Sequence, residues 1–194
     1  MSYDIYIGEA VLDVPDPAEH NGLDVEVRSA SHPDAPTFPN DDMTGNGNSR
    51  HPGYSQWTDF TRTAGIYDLF FDKEEGLMRR HPGCFLLRQS DLDRVRFALD
   101  QWRSKHQGTV PGFGDREYFE KEIARLKPWV ESGALDAEPE RKACVAARVA
   151  DYQRDMGALP PSGTFDPILA RLIWLEWWMA WALANCKTPA IHNH

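Results

Sequence analysis

The 194-residue sequence has few of the features that announce a function. It holds three cysteines, Cys84, Cys144 and Cys186, far apart, odd in number and without a Cys-x-x-Cys. That excludes a disulfide scaffold and gives structural zinc no paired-ligand spacing. The three read as buried, reduced thiols. Positive charge is scarce: 21 Lys+Arg face 30 Asp+Glu, a formal net charge of −9. Affinity for nucleic acid comes largely from neutralising phosphates, so duplex DNA or RNA is an unsuitable partner. No apolar run is long enough to cross a membrane. The nearest, 168–184, falls short of the ~20 residues a span needs and contains Arg171 and Glu176, which are costly at bilayer depth. The start has no basic segment and no long apolar stretch, so a cytoplasmic protein without a signal peptide is expected. Neither Gly-x-Ser-x-Gly nor a phosphate-binding P-loop nor Gly-x-Gly-x-x-Gly occurs, and there is no internal repeat.

What is present suits one domain over 1–194. A hydrophobic share of 41% is too high for a disordered chain. Residues 1–31 read as strands. Tyr3–Val14 is rich in Tyr, Ile and Val, and Leu23–Val27 alternates with period two. Pro15-Asp16-Pro17 and Asn21-Gly22 are turn signals between them. Residues 32–53 read as a long polar loop, because Pro33, Pro36 and Pro39 block helix and Thr44 to Ser49 favours turns. Loops of that length in a compact domain are usually functional or disordered.

Residues 54–186 read as mainly helical and 187–194 as a tail. Tyr54, Trp57, Phe60, Ala64, Tyr67 and Phe71 recur at spacings of three and four, with Gly65 as a weak point. A polar segment, 72–83, then closes on His81-Pro82-Gly83 as a turn. Further helices are predicted from Ser90, with Asp93 as a capping partner, from Asp115, with Pro128 as a kink or stop, and from Pro139. The last is signalled by Asp166-Pro167, a cap followed by proline. Its wheel carries two apolar sides. Trp174, Trp177, Trp178 and Trp181 lie on one, with Arg171 beside them; Ile168, Leu172, Leu175, Met179, Leu183 and Cys186 lie on the other. A helix apolar on both sides is buried on both. The leucine side is expected to face the core, and the tryptophan side to pack internally with a homodimer at its edge. The fold class read from this is α+β: a short N-terminal strand pair on a helical layer, with the Trp-rich helix central.

The candidate site is the loop Thr44–His51. Its glycines allow close backbone approach, successive N–H groups form anion-binding nests, and the following helix would direct its positive end to the same place. Arg50 would grip a phosphate, and Tyr54 and Trp57 would offer ring faces to a base. The predicted ligand-binding residues are Asn46, Asn48, Arg50, His51, Tyr54, Trp57 and Arg62. No metal and no cofactor is expected. Asp42, Thr44, Asn46 and Asn48 alternate as calcium ligands do, but the acidic twelfth residue is missing. His81, Cys84, His192 and His194 lack the second Cys pair of a zinc site and read as surface or turn residues. Asp41-Asp42 and Glu74-Glu75 read as solvated charge.

Tyr3-Asp4-Ile5-Tyr6-Ile7-Gly8 and Gly53-Tyr54-Ser55-Gln56-Trp57-Thr58-Asp59-Phe60 resemble segments of small uncharacterised proteins of bacteriophages and actinobacteria, over about a quarter of the chain. The Asn-Tyr-Thr-like triplet that follows the first strand in those proteins is missing. The resemblance implies a phage context and no particular activity. The leading functional expectation is a non-enzymatic protein that encloses a small anionic, nucleotide-like ligand, as a phage counter-defence sponge in the host cytoplasm would. Two rivals stand beside it. One is an enzyme on a nucleotide or sugar, using His51 and a nearby Asp. The other is an inhibitory module that docks a protein through the Trp-rich helix.

Overall fold

The structure is a computed structural model that describes residues 3–13, 24–41, 45–71, 80–161 and 163–194. The expected turns at 15–22, the acidic pair at 74–75 and the candidate ligands Asp42 and Thr44 lie outside the described residues. Two expected strands are present and pair antiparallel: β1 (Ile5–Asp13) and β2 (Asp24–Val27), with Ala10 opposite Val27. They belong to a larger antiparallel sheet. β3 (Ser49–Arg50) pairs with the start of β1, and the sheet runs β2–β1–β7–β4, where β4 is Gly83–Leu86 and β7 is Pro189–Asn193; β5 (Val110–Pro111) and β6 (Phe165–Asp166) form a separate parallel pair.

β7 corrects the expected tail at 187–194. Five residues opening on proline carry little local signal. They are extended because β1 and β4 both pair with them, so β4 joins the sheet only through this strand. β4 likewise occupies the end of a segment read as a turn. The loop 32–53 is anchored rather than free: Ser31 bridges Gly47, and β3 joins the sheet.

Alternation sorts the sheet into two faces. Ile5, Ile7, Phe85 and Ile191 enter the main core, whereas Tyr6, Ala10, Val27, Cys84 and Ala190 gather on the opposite face. Among the described residues, the helical layer packs on the first face. It comprises α1 (Tyr54–Thr63), α2 (Tyr67–Phe71), α3 (Gln89–Lys105), α4 (Arg116–Glu131), α5 (Pro139–Ala158) and α6 (Pro167–Asn185). Gly65, with φ of 73°, divides α1 from α2 where one helix was expected to weaken. The helix expected at Ser90 begins earlier. The Asp91 carboxylate accepts from the Arg88 N–H at 2.9 Å and so caps it, in place of Asp93. Pro128 is accommodated inside α4. α4 and α5 pack on each other around Phe119, Tyr152 and Leu159, with Phe165.

α6 is central, between β1 and α3. Its start is as expected: Asp166 Oδ1 accepts from Ile168 N–H and Leu169 N–H at 3.0 and 2.9 Å. The other oxygen, Oδ2, accepts from the Trp102 indole at 2.6 Å, tying α3 to the cap of α6. Both sides of α6 are buried. Leu172, Leu175 and Met179 are inaccessible, and so are Trp174 and Trp178 on the tryptophan side, while Trp177 and Trp181 are half-buried. Among the described residues no helix is long and apolar enough to cross a membrane. The cysteines are free, but Cys144 is exposed, contrary to the expectation of three buried thiols.

Candidate functional site

β3 decides which loop residues can act together. Successive side chains of a strand point to opposite faces. Arg50, opposite Ile5, turns into the core, whereas Ser49 lies opposite Tyr6 and His51 meets Tyr6 and Asp4 on the open face. Two residues expected to grip one ligand are therefore on opposite sides of the sheet.

Inside, Arg50 is only 3% exposed and pairs with Asp41, itself 4% exposed. Asp41 is thus a buried counter-ion, which corrects its reading as solvated charge. The Arg50 guanidinium lies over Phe113 at 5.0 Å and over Trp174 at 5.5 Å. From α6, Arg171 approaches the same ring: its guanidinium lies 5.5 Å from Phe113 and 5.6 Å from Phe60. Arg171 therefore stacks on phenylalanines, whereas Trp174, one turn along the same helix, carries Arg50. The Nε of each arginine is buried without a hydrogen-bond partner. Burial lowers the Arg50 guanidinium to about 10, with Asp41 opposing the shift and Arg171 adding to it. Burial also lowers Arg171, again against Asp41. Both remain cations at neutral pH. Among the described residues, Asp41 is the one carboxylate whose field acts on both guanidiniums.

The other loop residues are separated by what they already do. Asn48 is wholly buried and fully used: Oδ1 accepts from Ala30 N–H at 2.9 Å, and Nδ2 donates to the carbonyls of Ile7 and Arg28, each at 2.9 Å. It fastens the loop across β1 and β2. Gly8 gives it room, since a Cβ there would come within 3.2 Å of Asn48 Nδ2. Asn46 is exposed, and its carbonyl accepts from His32 N–H at 3.0 Å. The carbonyl of Gly47 accepts from the Trp174 indole at 3.3 Å, which seats the loop on α6 beside the arginines.

Trp57 is wholly buried, stacked on Tyr3 and tilted against Phe60, so it is core and presents no free ring face. Tyr54 is exposed and meets Tyr3 edge-on at 5.6 Å. Arg62 is exposed on α1 and lies 4.8 Å over the Tyr67 ring. On the open face, His51 Nδ1 and Asp4 Oδ1 are 2.6 Å apart.

The structure thus brings Arg50 together with Asp41, Phe113, Trp174 and Arg171, and leaves His51, Tyr54, Arg62 and Asn46 apart from that cluster. Phe113 was missed because a lone aromatic in a Pro-Gly-Phe-Gly turn has no period. Among the described residues no group of three or more His, Cys, Asp or Glu is arranged to hold a metal ion. No protein-family model matches the chain, and no curated protein or solved structure shows significant similarity to it.

Proposed function

We propose that the protein is a binding protein for a small anion of the phosphate type, carried by a nucleotide-like ligand and held at Arg50 and Arg171. The observation that carries this reading is the charge imbalance of the cluster: among the described residues two guanidiniums face one carboxylate, and both Nε donors are buried without an acceptor. A buried charge without compensation is costly, and an anion would supply the missing negative charge and the missing acceptors. Phe113, which is only half-buried, is an aromatic neighbour of the kind that accepts a base, and Trp174 backs Arg50 from within the core. Arginines, Phe and Trp bind and stack without exchanging protons at neutral pH, which favours sequestration over turnover. Sequestration in a phage-infected cytoplasm is the setting this reading implies. Trp177 and Trp181 at the edge of α6 are the residues for a homodimer contact.

The test is thermal denaturation against inorganic phosphate, pyrophosphate and nucleoside monophosphates. Ligand at 100 times its dissociation constant adds ~2.7 kcal/mol of stability. Recovery of the intact ligand after denaturing the complex supports sequestration; recovery of a converted ligand supports an enzyme. An unshifted transition with every anion rejects the proposal.

A further inference from the structure

The open face of the sheet holds a second assembly, separate from the arginines. Tyr6 of β1, His192 of β7 and Cys84 of β4 stand in register across three strands. Along the edge of that row runs a cleft of about 400 Å³, lined by Asp4, Tyr6, Glu26, Arg28, His192 and His194 among others. Its size is within the range of small-ligand sites. We infer that this cleft binds a neutral, hydroxyl-rich ligand, either a free sugar or the ribose of a nucleoside.

The chemistry of the lining supports this class. Two carboxylates, Asp4 and Glu26, against one guanidinium, Arg28, make the lining predominantly acidic, which disfavours the anions proposed for the arginine cluster. Asp4 Oδ1 is taken by His51 Nδ1 at 2.6 Å, so the carboxylate is held in place and Oδ2 is left to accept from a hydroxyl. His51 is a positioning residue here, since it acts through Asp4. Tyr6 is held edge-on between His51, at 5.7 Å, and His192, at 6.0 Å, and supplies the ring that C–H faces of sugars pack on. Its hydroxyl is kept neutral, because burial together with Asp4 and Glu26 raises its pKa. Burial, reinforced by His194, lowers that of His192, whose buried Nδ1 has no partner. A vicinal diol needs acceptors for its two O–H groups and donors for its oxygens. Asp4 and Glu26 offer the first, and Arg28 with the histidines the second.

The experiment follows the imidazole signals of His192 and His194 by NMR while ribose, adenosine, n-butylamine or inorganic phosphate is added. Saturable shifts with ribose are expected, with His106, outside the cleft, unmoved. Shifts with ribose alone assign a free sugar, and shifts with adenosine as well assign a nucleoside. Asp4→Asn should weaken ribose binding at least about tenfold, the loss of a hydrogen bond to a charged group. Arg28→Gln, an exposed position, should weaken it too if Asp4→Asn fails to fold. Arg171→Met should leave ribose binding intact, which keeps this site distinct from the anion site. Shifts with butylamine or phosphate but not ribose, no shift with any probe, or unchanged ribose affinity in Arg28→Gln would each overturn the inference.

Discussion

Removing the Asp41 carboxylate isolates the buried charge on which the arginine cluster depends. In Asp41→Ala, Arg50 keeps its positive charge at a site 3% exposed and loses its counter-ion. At an effective dielectric of about 20, a contact pair is worth ~4 kcal/mol. Breaking a buried pair from one side costs ~3–5 kcal/mol, because the remaining charge stays desolvated. Arg171 raises the cost, since its repulsion of Arg50 is then unopposed. A loss of ~3–5 kcal/mol is therefore expected in urea denaturation followed by circular dichroism, with an unchanged m-value. Arg50 lies in a segment read from sequence as a long polar loop, yet it is buried, so Arg50→Ala should be comparably destabilising. The double variant Arg50→Met/Asp41→Leu should recover most of the loss, because apolar side chains of similar volume replace buried ion pairs at little cost. An Asp41→Ala loss below ~1 kcal/mol, the value of an exposed pair, would refute the burial of this pair.

The remaining expectations concern the core, the thiols and acid. Leu175→Ala should cost ~2–5 kcal/mol and Trp178→Ala ~3–5 kcal/mol, both in equilibrium denaturation; loss of mass in light scattering by a still-folded Trp178→Ala would place that residue at a subunit contact instead. Cys144 is exposed and should be alkylated by iodoacetamide at neutral pH, whereas Cys84, buried with its thiol pushed up to about 11, should react only after unfolding; protection of Cys144 in mass spectrometry would contradict this. His192 has a depressed value in the folded state, so the unfolded chain binds more protons and stability rises with pH. Stability should fall as pH drops below about 6.5, the ordinary histidine value, and His192→Gln should make the fall shallower; an identical pH dependence in the variant would count against the buried imidazole.

The elements legible in the sequence are those whose signal is local. Asp166-Pro167 announces the start of α6, and the cap is made by the residue's own carboxylate on the N–H groups two and three residues on. The two apolar sides of α6 predict burial on both, and Trp174 and Trp178 are indeed inaccessible. What was not legible is pairing at a distance. β7 is extended because strands some hundred residues and more away in sequence bond to both its edges, and no pattern within Pro189–Asn193 encodes that. The candidate site failed in part for the same reason. Two residues of β3 are too few to display a period, yet the alternation through Arg50 sends it inward and the next residue, His51, outward. Asp41, Phe113 and Arg171 reach Arg50 from two further loops and a helix. Arg50 was legible as a cation within a polar loop; its burial and its companions were not.

The measurement that bears most directly on the proposed anion site is isothermal titration of adenosine monophosphate into the parent protein and into Arg171→Met. Arg171 is only partly buried and pairs with no carboxylate at hydrogen-bond distance among the described residues, so the variant should stay folded. Saturable binding is expected in the parent, weakened in the variant by at least about tenfold, as when a charge-assisted hydrogen bond is lost. Absence of binding in the parent, or equal affinity in a folded Arg171→Met, would contradict an anion site at the two arginines.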